Sequence, residues 1–259
     1  MQQPRAIVLK GKPLAAGRLP AVCAPLVART LDALREETAA VAAKQPDLLE
    51  WRIDFFTAIA DTQQVLAAAR VVREAARGIP ILLTRRAARE GGQAITIGEV
   101  QVLGLYDAIA ATGSVDLLDY EMENSPPDVA RAREIARRHG LPLVLSFHDF
   151  QKTPPAAELL ERFVRAQALG GDIGKVAVMP QSLQDVHALL GATLRASESL
   201  GIPVIGMAMG GLGAVSRLCG GMFGSALTFA VASAPSAPGQ VPIEDVRATL
   251  QVLQRATSG

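Results

Sequence analysis

The chain has 259 residues, of which 49% are hydrophobic and only 4% aromatic, and its formal net charge is +1. This length suits one large domain, so we expect residues 1–259 to form a single α/β domain with an aliphatic core. Lys and Arg are spread along the chain, and no apolar run reaches the ~18 residues of a membrane span. We therefore expect neither a nucleic-acid nor a membrane partner.

The first predicted element is a β-hairpin near the start of the chain. Apolar residues at 6–9 and 14–16 flank Gly11, which favours two short strands joined by a tight turn. No apolar stretch here is long enough for a signal peptide. We expect the hairpin to cover one end of the domain that follows.

Eight apolar, strand-like runs come next, spaced roughly 20 to 35 residues apart as in repeated βα units. They lie near residues 21–26, 47–53, 80–85, 115–121, 142–148, 172–179, 202–208 and 223–230. Amphipathic stretches between them predict helices, clearest over 30–43, 62–77, 127–139, 156–169 and 183–200. The alternation predicts a (β/α)8 TIM barrel, with the N-terminal hairpin closing the barrel floor.

The strand openings alternate between two patterns. The second, fourth and sixth predicted strands open at Asp47, Asp116 and Asp172, whereas the odd-numbered strands follow an aliphatic residue and a proline. In a barrel of this kind, alternate strands fill alternate layers of the interior. An odd/even signature therefore supports the barrel over a flat sheet.

Polar side chains recur where the predicted strands end. Residues two apart on a strand share a face, and barrel enzymes keep their chemistry at the carboxyl ends of the strands. The pairs that point together are Glu50 with Arg52, Thr84 with Arg86, Asp119 with Glu121, and Ser146 with His148. Lys175 lies in the sixth strand. Met207 and Met209 end the seventh strand, where they either line a site or simply pack in the core.

Three of these residues have both a chemical and a structural interpretation. An amine held among cations and apolar walls loses its proton easily, which makes Lys175 a candidate nucleophile; the alternative is a buried ion pair with Glu50 or Glu121. His148 is a candidate acid/base group or a hydrogen-bonded core histidine. Arg52 is a candidate binding residue or half of a fixed salt bridge with Glu50.

The two cysteines indicate the compartment. Cys23 and Cys219 lie far apart and match neither a CxxC motif nor a Cys/His metal spacing. We expect buried, reduced thiols, which favours the cytoplasm, and no metal site.

Six ordered motifs, running through nearly the whole chain from Ala21 on, resemble those of type I 3-dehydroquinate dehydratases, lyases of the shikimate pathway. The motifs are Leu49-Glu50-Trp51-Arg52-Ile53-Asp54, Thr84-Arg85-Arg86 with Glu90-Gly91-Gly92, Ser146-Phe147-His148-Asp149-Phe150, Lys175-Val176-Ala177-Val178-Met179-Pro180, Ser216-Arg217-Leu218 and Ser236-Ala237-Pro238-Gly239-Gln240. The resemblance implies Schiff-base dehydration of 3-dehydroquinate by a homodimer that needs no metal or cofactor. The same step serves aromatic biosynthesis and quinate breakdown.

The resemblance also implies a role for each residue of the site. Lys175 matches the imine-forming lysine, His148 the general acid/base, Glu90 the carboxylate paired with that histidine, and Arg217 the arginine that binds the substrate carboxylate. The residues that match those holding hydroxyls or lining the site are Glu50, Arg52, Arg86, Ser236, Gln240, Met207, Met209 and Phe229. The chain departs from the family at Gly210-Gly211-Leu212-Gly213, where a more polar Ser/Lys stretch is usual.

Two other functions are compatible with parts of this pattern. A Schiff-base aldolase or transaldolase shares the lysine, but it cleaves a carbon–carbon bond, usually in a phosphorylated sugar. Gly210, Gly211 and Gly213 are only a weak phosphate signal, since the segment after the eighth strand contains two prolines without amide donors. A non-catalytic metabolite-binding barrel would be expected to lack Lys175 or His148.

Overall fold

The computed structural model describes residues 5–18 and 20–257, so the expected domain of residues 1–259 extends beyond the described chain at both ends. The predicted hairpin is present, with β1 (Val8–Leu9) paired antiparallel to β2 (Lys12–Pro13). Flanking it, Ile7 and Leu14 are buried in a cluster with residues that open the barrel strands. The hairpin therefore covers the amino-terminal floor of the barrel, as predicted.

Eight parallel strands form the predicted barrel. They are β3 (Ala21–Leu26), β4 (Leu48–Arg52), β5 (Ile81–Thr84), β6 (Leu117–Glu121), β7 (Leu143–Asp149), β8 (Ile173–Val178), β9 (Val204–Ala208) and β10 (Leu227–Val231). Each strand from β3 to β8 pairs with the next, and β10 pairs with β3. The ring closes between β9 and β10, where Val204 forms a β-bridge with Ser225. The carbonyl of Val204 accepts the N–H of Ala226 at 2.8 Å. The short β11 (Val241–Pro242) pairs in parallel with the carboxyl end of β10.

Helices cover the outside of the strands. They are α1 (Leu31–Ala43), α2 (Thr62–Ala75), α3 (Glu99–Ala111), α4 (Pro126–His139), α5 (Ala156–Ala168), α6 (Leu183–Ser199), α7 (Ala214–Cys219) and α8 (Ile243–Thr257). The five predicted helices are confirmed with ends shifted by at most two residues. In the described part of the chain, none of the helices is long and apolar enough to cross a membrane.

The aspartates that open alternate strands anchor the strands before them. In each case one carboxylate oxygen accepts the backbone N–H at the start of the preceding strand. The bonds join Asp47 to Val22 at 2.8 Å, Asp116 to Ile81 at 2.9 Å and Asp172 to Leu143 at 2.8 Å. Each aspartate also forms a salt bridge with an arginine: Asp47 with Arg247, Asp116 with Arg73 and Asp172 with Arg133. The odd/even repeat is thus a set of charge-assisted bonds that fix the strand starts.

The barrel interior is divided along its axis. Its amino-terminal half is filled by mainly aliphatic side chains from all eight strands, together with Ile7 and Leu14 beside the hairpin. Towards the carboxyl ends, buried charged residues replace them, among them Glu50, Asp119 and Lys175. Burying charged side chains costs free energy unless they are paired, so this end of the barrel has a role other than packing.

Candidate active site

A cavity of about 50 Å³ lies at the carboxyl ends of the barrel strands. It is lined by every residue for which the sequence implied a role. These are Glu50, Arg52, Arg86, Glu90, His148, Lys175, Met207, Met209, Arg217, Phe229, Ser236 and Gln240. Phe150, Ala177 and Ala237 complete the lining. Residues spread over most of the chain therefore converge on one cavity.

A larger groove of about 900 Å³ lies elsewhere, between α6, α8 and the turn before β3. In the part of its wall that the structure describes, there is no lysine or histidine. Its charged residues include Asp47 and Arg247, which pair with one another at 3.6 Å. Volume alone does not mark a site of chemistry, so we take the smaller polar cavity as the candidate active site.

Lys175 projects from β8 into the cavity and is 5% exposed. Its Nζ lies 3.3 Å from Oδ2 of Asp119 and 3.7 Å from Oε1 of Glu50. The Phe229 ring centroid is 4.5 Å from the same nitrogen. The predicted ion pair with Glu50 is present, whereas the one with Glu121 is wrong, because that carboxylate binds the arginines that follow β5. The amine is therefore buried, held in place and directed at the cavity.

His148 and Glu90 form a pair at the cavity wall. Oε2 of Glu90 lies 3.0 Å from Nδ1 of His148 and accepts the backbone N–H of the same residue at 3.0 Å. This contact fixes the ring through Nδ1 and leaves Nε2 for the cavity. Burial, reinforced by the Arg86 and Lys175 charges, holds the pKa of His148 well below its usual value. The imidazole is consequently neutral, and its Nε2 can accept a proton while Glu90 is ionised.

The partner carboxyl of this pair is itself perturbed. Burial first, and then the charge of Glu121, raises the pKa of Glu90 to about 8. Arg86 and Arg89 oppose this rise from 3.9 and 3.8 Å. The pair thus holds a proton-binding group close to neutral pH, which suits a centre that must take up a proton and then release it.

Arg217 is a buried cation without a carboxylate partner among the described residues. It is 1% exposed and donates to Sδ of Met207 at 2.7 Å and to the carbonyls of Phe229 and Pro238 at 3.2 and 3.0 Å. Burial lowers its pKa to about 10, so the guanidinium remains charged at neutral pH. An unpaired buried cation facing a cavity favours binding of an anion.

The two other site arginines are held by carboxylates. Arg52 donates to both oxygens of Asp54, at 2.8 and 2.7 Å, so the salt bridge considered with Glu50 is wrong. Arg86 donates to Asp119 at 2.6 Å and is fully buried within the barrel. Neither Asp54 nor Asp119 was assigned a role from the sequence. For both, the signal was a carboxylate at or just beyond the end of a strand.

The segment after β10 closes over the cavity. The Ser236 N–H donates to Oε1 of Gln240 at 2.9 Å, and the Pro238 carbonyl accepts the N–H of Gly210 at 3.1 Å. Gly239 has φ +73°, and a Cβ there would lie 2.3 Å from the carbonyl oxygen of Gly210. The backbones of the two loops therefore meet at Gly239 where no side chain fits, which gives a physical reason for glycine at this position.

We expect residues 236–240 to act as a lid that substrate orders through Ser236 and Gln240. The segment is rich in Pro, Ala and Ser, and its contacts to the barrel are mainly single hydrogen bonds. A protease of low specificity should cut it several-fold more slowly when substrate or product is bound. Cleavage at the hairpin turn near Lys10 and Lys12, on the opposite face, provides the internal control. Equal cleavage of the lid with and without ligand would contradict the expectation.

Comparison with known proteins links this site to one family. The family model described as type I 3-dehydroquinase matches residues 22–257. The chain is 48% identical over 259 residues to the 3-dehydroquinate dehydratase of Aromatoleum aromaticum, with all of both chains covered. It is 49% identical over 256 residues to that of Albidiferax ferrireducens, covering 99% of this chain and 97% of the relative. The crystal structure of the Geobacillus kaustophilus 3-dehydroquinate dehydratase superposes with a TM-score of 0.94 at 47% identity, covering 98% of both chains.

Proposed function

The chain belongs to the type I 3-dehydroquinase family and is a hydro-lyase that dehydrates 3-dehydroquinate in the shikimate pathway, and we propose that it does so through an imine on Lys175. One observation carries the proposal: a buried amine, a neutral imidazole and a guanidinium without a carboxylate partner among the described residues face the same cavity. Nucleophile, base and anion site are the three parts that this dehydration needs.

The imine makes the first proton removable. In 3-dehydroquinate the departing hydroxyl is β to a ketone, and the proton on the α-carbon between them is only weakly acidic. Nζ of Lys175 adds to the ketone carbon, and the ketone oxygen leaves as water. The resulting protonated imine draws electrons towards nitrogen as the α-proton departs.

His148 moves the protons. Its Nε2 removes the α-proton, which yields a neutral enamine, and then returns a proton to the departing hydroxyl so that this leaves as water. Glu90 orients the ring through Nδ1 at 3.0 Å. Hydrolysis of the conjugated imine releases 3-dehydroshikimate and restores the Lys175 amine. The overall reaction removes one molecule of water.

The rest of the cavity holds the substrate. Arg217 pairs with its carboxylate, and a planar guanidinium does this in two parallel hydrogen bonds that lysine does not offer. We assign the hydroxyl contacts to Glu50, Arg52, Arg86, Ser236 and Gln240. Met207, Met209 and Phe229 form the apolar walls.

Replacing Arg217 with Ala should raise KM about 10- to 150-fold, because a charged hydrogen bond contributes about 1.5–3 kcal/mol. Steady-state kinetics on 3-dehydroquinate measures this directly. Arg70→Ala, at an exposed position on α2, is the matched control and should leave KM unchanged. An unaltered KM in the Arg217 variant would move the carboxylate site to Arg52 or Arg86.

The two alternative functions make different demands on the site. A sugar-phosphate aldolase needs a phosphate site, and Pro235 and Pro238 lack the N–H donors that such a site near the end of β10 requires. A silent binding barrel has no use for an amine and an imidazole that face the same cavity. Purified protein mixed with 3-dehydroquinate should generate an enone that absorbs in the ultraviolet. Without this product, the dehydratase assignment fails.

We also propose that the protein acts as a cytoplasmic homodimer, with residues 1–259 forming one catalytic domain per subunit. The free thiols Cys23 and Cys219 support a reducing compartment, and the family resemblance supports the dimer. We expect no cofactor, because the Lys175 imine itself supplies the electron sink. Light scattering of the purified protein tests the subunit number.

A further inference from the structure

Asp119, in β6, lies beside Lys175 and outside the described lining of the cavity. Its side chain is 0% exposed. Its Oδ1 accepts hydrogen bonds from Arg86 at 2.6 Å and from the Ser146 hydroxyl at 2.7 Å. Its Oδ2 faces Nζ of Lys175 at 3.3 Å. One oxygen is thus anchored by the barrel, and the other is presented to the reacting nitrogen.

This carboxylate keeps its charge while the site is in use. Burial opposes its ionisation, but Arg86 and Lys175 outweigh burial and hold the pKa of Asp119 below its usual value. Glu50 is the other carboxylate near the amine, but it lines the cavity and accepts a hydrogen bond from Thr84 at 3.0 Å. A substrate hydroxyl can engage Glu50, whereas Asp119 is shielded from substrate.

The positive charge beside Asp119 changes during the proposed reaction. The imine nitrogen is cationic after the first water leaves, neutral in the enamine, and cationic again in the conjugated imine. A fixed anion 3.3 Å away stabilises the cationic states relative to the neutral one. Both exits from the enamine, loss of the hydroxyl and return of the α-proton, regenerate the cation and therefore gain from this anion.

We propose that Asp119 is a further catalytic residue, the fixed counter-ion of the Lys175 nitrogen, and that it promotes departure of the hydroxyl. In that step the nitrogen lone pair forms the C=N bond and the enamine double bond shifts to the β-carbon. The C–O bond breaks with its electrons on oxygen, and a proton from His148 completes the water. This inference rests on the imine route proposed above.

The test measures dehydration together with the balance between the cationic imine and the neutral enamine. Borohydride reduces the imine but not the enamine, so the share of protein that a short borohydride pulse traps during turnover reports this balance. Asp119→Asn removes the charge and keeps the shape. We expect its dehydration rate to fall about 10²-fold and its trapped share to fall several-fold, on the usual scale for losing one electrostatic stabiliser.

The controls separate this role from a structural one. Ser146→Ala removes a neutral partner of Asp119 but keeps the charge, so its trapped share should stay at the native value. Should circular dichroism show the Asn variant unfolded, Asp119→Ser tests the same loss of charge. A folded, charge-free variant with the native trapped share overturns the counter-ion role. Failure of borohydride to trap an imine in the native protein would refute the imine route itself, a distinguishable outcome.

Discussion

Borohydride added during turnover is expected to inactivate the protein by reducing an imine on Lys175 to a stable secondary amine. The reason is that Nζ is buried beside the cavity and held there by Asp119 and Glu50, so the attacking group is already in place. Inactivation should require substrate or product. Mass spectrometry of the digested protein should locate the adduct on the peptide containing Lys175.

Lys175→Ala should abolish trapping and almost all dehydration, while ligand still binds through Arg217. Lys152→Ala is the matched control, since this lysine is exposed on the loop after β7. It should keep both trapping and activity. A chelator should have no effect on either. An adduct on Lys10, Lys12, Lys44 or Lys152, or full activity without Lys175, would end the imine mechanism. Dehydration that proceeds while nothing is trapped would indicate an enolate route instead.

His148→Ala should still form the imine but turn over about 10²–10⁴-fold more slowly, the usual scale for general acid–base catalysis. The exposed His187 in α6 provides the control, and its Ala variant should match the native protein. Borohydride trapping and kcat are measured on the same preparations. Near-normal kcat in the His148 variant would leave this residue only the structural role of a hydrogen-bonded core histidine.

The pair of Glu90 and His148 should also set the pH dependence. Because the pKa of Glu90 is raised to about 8, the carboxyl gains a proton as pH falls through that region. A protonated Glu90 donates to Nδ1 and leaves the ring proton on Nε2, which blocks the base. The native kcat should therefore decline as pH falls below about 8, and Glu90→Gln should lose this decline. If kcat of the Gln variant still declines as pH falls, a group other than Glu90 causes the decline.

Sequence by itself determined the repeated architecture, because periodicity is a local property of the chain. Each strand needs an apolar run with two covered faces, and most helices need one apolar stripe. Where that stripe is missing, the pattern failed: α3 buries Val102, Leu103, Leu105 and Tyr106 on much of its circumference, and it was not predicted as a helix. The aspartates before alternate strands were visible, but their bonds to the preceding strands were not.

For the site as well, the sequence determined one part and the tertiary structure the other. Alternation along each strand indicated which polar side chains point together, and the family motifs supplied a role for each. Only the closed barrel decided which charges meet, because partners come from strands far apart in the chain. Lys175 in β8, for example, meets Asp119 in β6 and not Glu121. Ion pairing depends on distances of a few ångströms in three dimensions, and these exist only after the eight strands have closed into a ring.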